Sequence, residues 1–213
     1  QFLEGEWTAK RLTKPVDAMM TFFKNPESFL RKHPIINTFD CAAHGQTTAY
    51  FRNDRADALR PGSKLGKLHR HTTESFNLES VSGANCYGYS FPVHGIFTSP
   101  SDAPSSWYTL DATGPALMLT AKLTGCTFAA TKGPGGNTLV THLQPNHETG
   151  IELNTRMQGP DRAAYGRLKY DFDIRSINII GVRLANQWQI WAQKLIKNSN
   201  APTIMSVNRI WPL

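Results

Sequence analysis

The apolar positions of this chain follow two patterns, one after the other. Between Lys14 and Lys32, Val16, Met19, Met20, Phe22, Phe23, Phe29 and Leu30 recur at helical spacings. Pro15 suits a first turn there and Pro26 a restart, so two short helices are expected, with the Met and Phe stripe packing inward. Pro34 closes this arm. Beyond it come short runs rich in Thr, Tyr, Val and Ile, bounded by Gly, Pro, Asn and Asp, which read as strands. The pattern predicts strands at Thr47–Arg52, Cys86–Val93, Ala116–Leu123, Cys126–Thr131, Thr138–Leu143, Arg167–Phe172, Ile177–Leu184, Gln187–Ile196 and Ile204–Ile210. Arg52–Gly66 and Pro92–Ser106 carry the composition of exposed loops, which can frame a site. The expected organisation is a helical arm over residues 1–34 and a β-rich domain over residues 35–213, together one compact unit of α/β class with a mainly antiparallel core.

Length and composition agree with this division. With 213 residues, 40% of them hydrophobic, the chain can bury one substantial core. No window approaches the roughly 18 uninterrupted apolar residues of a membrane-crossing helix. The opening residues, Gln-Phe-Leu-Glu-Gly-Glu, lack the basic-then-apolar run of a signal peptide. Position 1 is Gln rather than Met, which suits either a piece cut from a longer protein or a trimmed chain.

A net charge of +7 would suit nucleic acid, an anionic membrane or an acidic protein partner. The basic residues are scattered, as at Lys10, Arg11 and Lys14 or Lys64, Lys67 and Arg70, and no zinc-finger spacing, RNA-recognition motif or phosphate loop accompanies them. A specific nucleic-acid partner is therefore not expected, and a solvated basic surface is the simpler reading.

The stretch that carries chemistry runs from Thr120 to Pro145. Two apolar arms flank Lys132-Gly-Pro-Gly-Gly-Asn137, strong turn chemistry that predicts a β-hairpin with a loop of about four to six residues. If Lys132 faces Asn137, the ladder brings Cys126 and His142 opposite each other to within about one residue. Directly opposed side chains share a face with Cβ atoms roughly 4.5–5.5 Å apart, within reach of a thiol-to-imidazole hydrogen bond. An imidazole beside a thiol favours the thiolate, the nucleophilic form. Gly125 would leave the sulfur near backbone N–H groups, as an oxyanion site requires. A slip of one residue would turn the imidazole to the other face. Composition alone does not make Cys126 reactive: with three cysteines, Cys41, Cys86 and Cys126, at least one thiol is unpaired within the chain, and a lone cysteine is commonly a small core residue.

The run Thr120…Leu123-Thr124-Gly125-Cys126, followed by a glycine-bearing hairpin and His142, resembles the active-site hairpin of the cytotoxic necrotizing factor and Burkholderia lethal factor deamidases. A similar arrangement occurs in bacterial chemoreceptor glutamine deamidases. The likeness covers about 30 residues. It departs from the pattern in having Thr124 for the usual serine and a somewhat longer Cys-to-His interval. What it implies is a β-sandwich flanked by helices, with Cys126 attacking a glutamine carboxamide, His142 moving the protons and Thr120 orienting the imidazole through its carbonyl or hydroxyl. It further implies no metal or organic cofactor, and a toxin or effector secreted or injected by a bacterium. Its partner would be a protein substrate in the host cytosol, such as a small GTPase or another regulatory protein. The same dyad would serve a cysteine peptidase or a transglutaminase, and the positive charge also admits a non-catalytic binding module.

Other groupings are weaker. His69-Arg-His71 with His94 offers no third ligand at a diagnostic spacing, so no metal site is expected. Asp171 and Asp173 would share a strand face but read as surface carboxylates, and His44 after Cys41 has no turn chemistry beside it. Trp188 and Trp191, three apart, cannot share a strand face, so one is expected to pack inside.

Overall fold

The computed structural model describes residues 22–37, 46–52, 68–70, 74–81, 90–103, 106–170, 175–197 and 202–213. The expected arm before Phe22, together with Cys41, His44, Cys86, His71, Asp171 and Asp173, lies outside the described residues.

Two sheets form the body. The larger has the order β1 (Ile35–Asn37), β4 (Glu74–Val81), β2 (Gln46–Arg52), β5 (Ser90–Ile96), β8 (Leu117–Thr120), β12 (Arg175–Leu184), β13 (Gln187–Lys197) and β14 (Pro202–Trp211), with β3 (Leu68–Arg70) also paired to β4. The smaller runs β11 (Arg162–Tyr165), β9 (Thr127–Lys132), β10 (Thr138–Gln144) and β6 (Ser99–Pro100), with β7 (Tyr108–Leu110) on β10. Pairing is antiparallel except at β1–β4, β5–β8 and β6–β10. Met118, Ile177, Ile179, Trp188 and Ile190 of the large sheet bury against Phe128, Ala130, Val140 and Tyr165 of the small one, so the sheets pack as a sandwich.

The outer face of each sheet carries a helix. Helix α1 (Pro26–Lys32) starts at an Asn25 cap whose side chain accepts from the Ser28 N–H at 3.0 Å, with Pro26 at the first helical position as the sequence predicts. Its Phe29 and Leu30 pack with Leu117, Leu119, Ile180, Val182 and Trp191. Buried Gln193 fastens this end of the helix: its Nε2 donates to the Leu30 and His33 carbonyls, both at 2.7 Å, and its Oε1 accepts from the Ile35 N–H at 2.7 Å. Helix α2 (Gly150–Met157) covers the small sheet, placing Leu153 and Met157 on Ala129 and Leu143. Covering the large sheet on both faces accounts for the continuous run Ile177–Val182. It also corrects the expectation for the tryptophans, because both pack inside, Trp188 between the sheets and Trp191 under α1.

Other boundaries move. The expected loop Pro92–Ser106 holds the end of β5 and the whole of β6. The expected strand Arg167–Phe172 is not one over its described residues: the strand there is β11, which begins five residues earlier, and Arg167–Tyr170 is turn and bend. Arg162-Ala-Ala-Tyr165 has no β-branched residue, carries little β signal of its own and is held as a strand by pairing with β9.

Candidate functional site

The hairpin forms where turn chemistry places it, with a register that differs from the simplest count. Lys132 pairs with Thr138, leaving Gly133–Asn137 as the loop, closed by a Gly133 N–H bond of 2.8 Å to the Asn137 carbonyl. Gly135 and Gly136 take φ of +66° and +82°, left-handed backbone that glycine adopts without a Cβ penalty. With this register His142 faces Phe128, not Cys126. The displacement from the expected partner is two residues, so side-chain parity is preserved. Cys126 immediately precedes β9, is half-buried and packs against the inter-sheet cluster that contains Phe128. Cys126 lies one residue beyond the ladder, which ends at Thr127 and Leu143, so thiol and imidazole are not a directly opposed pair, although both border the space between the sheets.

His142 is 0% exposed and reaches across the sandwich. Its Nδ1 lies 2.7 Å from the Thr120 hydroxyl, which stands on β8 of the other sheet, also 0% exposed. The same hydroxyl donates its single proton to the Ile96 carbonyl at 2.5 Å. With that proton committed, the Thr120 oxygen can only accept from His142, so the ring carries its proton on Nδ1. Nε2 is left with a bare lone pair, and among the described residues it has no hydrogen-bond partner. Burial pushes the imidazole pKa down to about 3, so the ring is neutral at physiological pH. A neutral, oriented imidazole can accept a proton at Nε2, which is buried with the rest of the ring, and Thr120 is the residue that the resemblance implies as its orienting group.

The nucleophile candidate is held through its backbone. Tyr170, which the sequence assigned to a strand, donates from its hydroxyl to the Cys126 carbonyl at 2.7 Å, and no local pattern around Tyr170 signals this contact. Desolvation raises the Tyr170 pKa, with the neighbouring thiol contributing in the same direction, so the phenol remains a donor. The tyrosine ring stacks on Tyr165 at 6.4 Å and lies under the Arg167 guanidinium at 5.8 Å. On the other side, α2 begins against Gly125: a Cβ at Gly150 would stand 2.9 Å from the Gly125 carbonyl oxygen and would also meet the Arg167 side chain. The helix start is fixed by a capping box, Thr149 Oγ1 accepting from the Glu152 N–H at 3.2 Å and the Glu152 carboxylate from the Thr149 N–H at 2.7 Å. Gly125 is thus set by a helix terminus and Cys126 by a phenol.

His94 packs edge-on to Trp188, ring centroids 5.7 Å apart, within the sandwich, and burial lowers its pKa. The side chain of His69 lies outside the described residues. Neither a protein-family model nor a curated protein matches the chain.

Proposed function

We propose that the protein is a cysteine-dependent hydrolase that converts a glutamine side chain of a protein substrate to glutamate. The observation that carries this reading is the Thr120–His142 hydrogen bond of 2.7 Å, which fixes the tautomer and leaves Nε2 without a partner among the described residues, while Cys126 borders the same inter-sheet space. The similarity of Thr120, Gly125, Cys126 and His142 to the deamidase hairpin supplies the reaction class.

In this mechanism the resting pair is thiol and neutral imidazole, because a buried imidazolium is disfavoured. Substrate binding brings the thiol and Nε2 together, as catalytic contacts often tighten only in the substrate complex. The sulfur attacks the glutamine Cδ as its proton passes to Nε2. The tetrahedral intermediate then collapses, the C–N bond breaks, and Nε2–H protonates the departing amine to ammonia. Water attacks the resulting thioester, Nε2 takes its proton, and the C–S bond breaks to release glutamate and restore the thiol. The Gly125–Cys126 backbone is the proposed oxyanion support.

Intact-mass and peptide spectrometry of host-cell proteins exposed to wild type or Cys126→Ser tests the reading. The expected result is a gain of about 1 Da at a specific glutamine, from –NH2 replaced by –OH, in the wild-type sample alone. Cleaved chains would identify a peptidase, amine adducts a transglutaminase. Full cellular effect from Cys126→Ser would exclude all three.

A further inference from the structure

A cleft of about 540 Å³ opens where the two sheets end side by side, β11 as the edge of the small sheet and β14 as the edge of the large one. Its floor is apolar, from buried Ala163, Tyr165 and Ile210. Its rim carries three cations: half-exposed Arg162 and exposed Lys169 and Arg209. No acidic side chain is among its described lining, and none of these three cations has an ion pair among the described residues. Arg162 instead lies 5.5 Å over the Trp107 ring, which fixes its direction without neutralising it.

We infer that this cleft is a docking site for an acidic segment of the protein substrate, lying along the β11 and β14 edges. The inference rests on the proposed deamidase reading for the identity of its partner. The chemistry favours an extended acidic chain over a small anion, since the cations stand on an open rim above apolar residues instead of converging as buried donors. At β11 the Arg162 N–H and carbonyl are taken by Gly159, so an added segment would pair along β14 or beyond Arg162, and its alternate side chains would meet the floor and the rim. The cleft also adjoins the candidate site. Tyr165 forms part of its floor and stacks on Tyr170, whose hydroxyl holds the Cys126 carbonyl. A segment seated there would bring flanking residues toward the thiol, and the net charge of +7 would steer it in.

The test is fluorescence anisotropy with a short labelled peptide alternating Glu and Ala around one Gln, titrated with the Cys126→Ser protein so that no turnover intervenes. Its control peptide has every Glu replaced by Gln. The acidic peptide is expected to bind more tightly than the control and to weaken several-fold between about 50 and about 200 mM NaCl. The Arg162→Glu/Arg209→Glu double variant should lose about tenfold or more in affinity. Because these side chains stand on the rim, circular dichroism should show unchanged folding, and the milder Arg162→Gln/Arg209→Gln pair gives a second measure. Equal binding of the two peptides, undiminished binding to both double variants, or binding of a mononucleotide in place of the acidic peptide would overturn the inference. Failure here leaves glutamine conversion by wild type untouched. Conversely, peptide binding that persists while Cys126→Ser keeps its cellular effect removes the deamidase reading and retains the acidic-peptide site.

Discussion

The hydroxyl of Thr120 and the Nδ1 of His142 sit 2.7 Å apart although they belong to different sheets, and the Ile96 carbonyl behind Thr120 determines which of the two donates. Replacing Thr120 by Val keeps the shape, removes the acceptor and leaves Nδ1–H buried without a partner. Such a change costs about 1–3 kcal/mol of stability. In the proposed mechanism it also frees the ring to take the other tautomer, with turnover expected to fall about 100-fold. Thr120→Ser should restore much of both. Denaturant unfolding and glutamine-conversion assays on the pair check this, and equal activity of Thr120→Val and wild type would remove Thr120 from the site.

Acid stability should carry the signature of His142. Its folded pKa of about 3 lies below the ordinary value of 6.5, so the unfolded chain binds a proton in this interval that the folded chain refuses. The contribution is complete above pH 6.5 and is lost as pH falls toward 3, at up to about 1.4 kcal/mol per pH unit. His142→Gln should flatten this part of the stability profile, measured by urea midpoints at several pH values. The same neutrality predicts that kcat/KM for glutamine conversion shows no acid limb near pH 6.5.

Gly150 is expected to accept no side chain. A Cβ there would stand 2.9 Å from the Gly125 carbonyl, a backbone atom that can move only with the Cys126 loop, and would press on Arg167. Gly150→Ala should therefore destabilise by about 1–3 kcal/mol and depress activity beyond what the stability loss explains. Gly159→Ala, whose Cβ would meet only the Arg162 Cβ at 3.7 Å, provides the control.

Gln193→Leu should loosen α1 while sparing the sandwich. It removes three hydrogen bonds and strands the Leu30 and His33 carbonyls and the Ile35 N–H. Hydrogen exchange should show faster exchange over residues 26–37 and little change in β9 and β10.

Much of this architecture is written in local pattern. The glycine run at 133–136 announces the hairpin, and apolar runs announce β8, β12 and the middle of β13, because strands covered on both faces need nearly continuous hydrophobicity, while edge strand β14 shows itself by β-branched and aromatic residues among polar ones. The register was less legible: a loop bounded by Lys132 and Thr138 instead of Asn137 shifts the partner of His142 to Phe128, and turn composition does not distinguish the two. Helix α2 was missed because Gly150-Ile-Glu-Leu-Asn-Thr-Arg-Met157 is short and opens on a poor helix former. The capping pattern Thr149-x-x-Glu152 was the available signal. His142 was legible as a candidate from the hairpin count and Thr120 from a similarity of motif. Tyr170 was not, since a contact across 44 residues to a backbone oxygen leaves no trace in spacing.

Because the imidazole is rooted in one sheet and its orienting hydroxyl in the other, the candidate base reports on how the two halves of the sandwich are aligned. Sliding one sheet past the other by a single residue, about 3.3 Å, would separate the pair without unfolding either sheet. If the proposed glutamine conversion depends on this pair, mild denaturant or pressure should silence it while circular dichroism still reads native, making turnover the more sensitive gauge of how faithfully two layers are assembled.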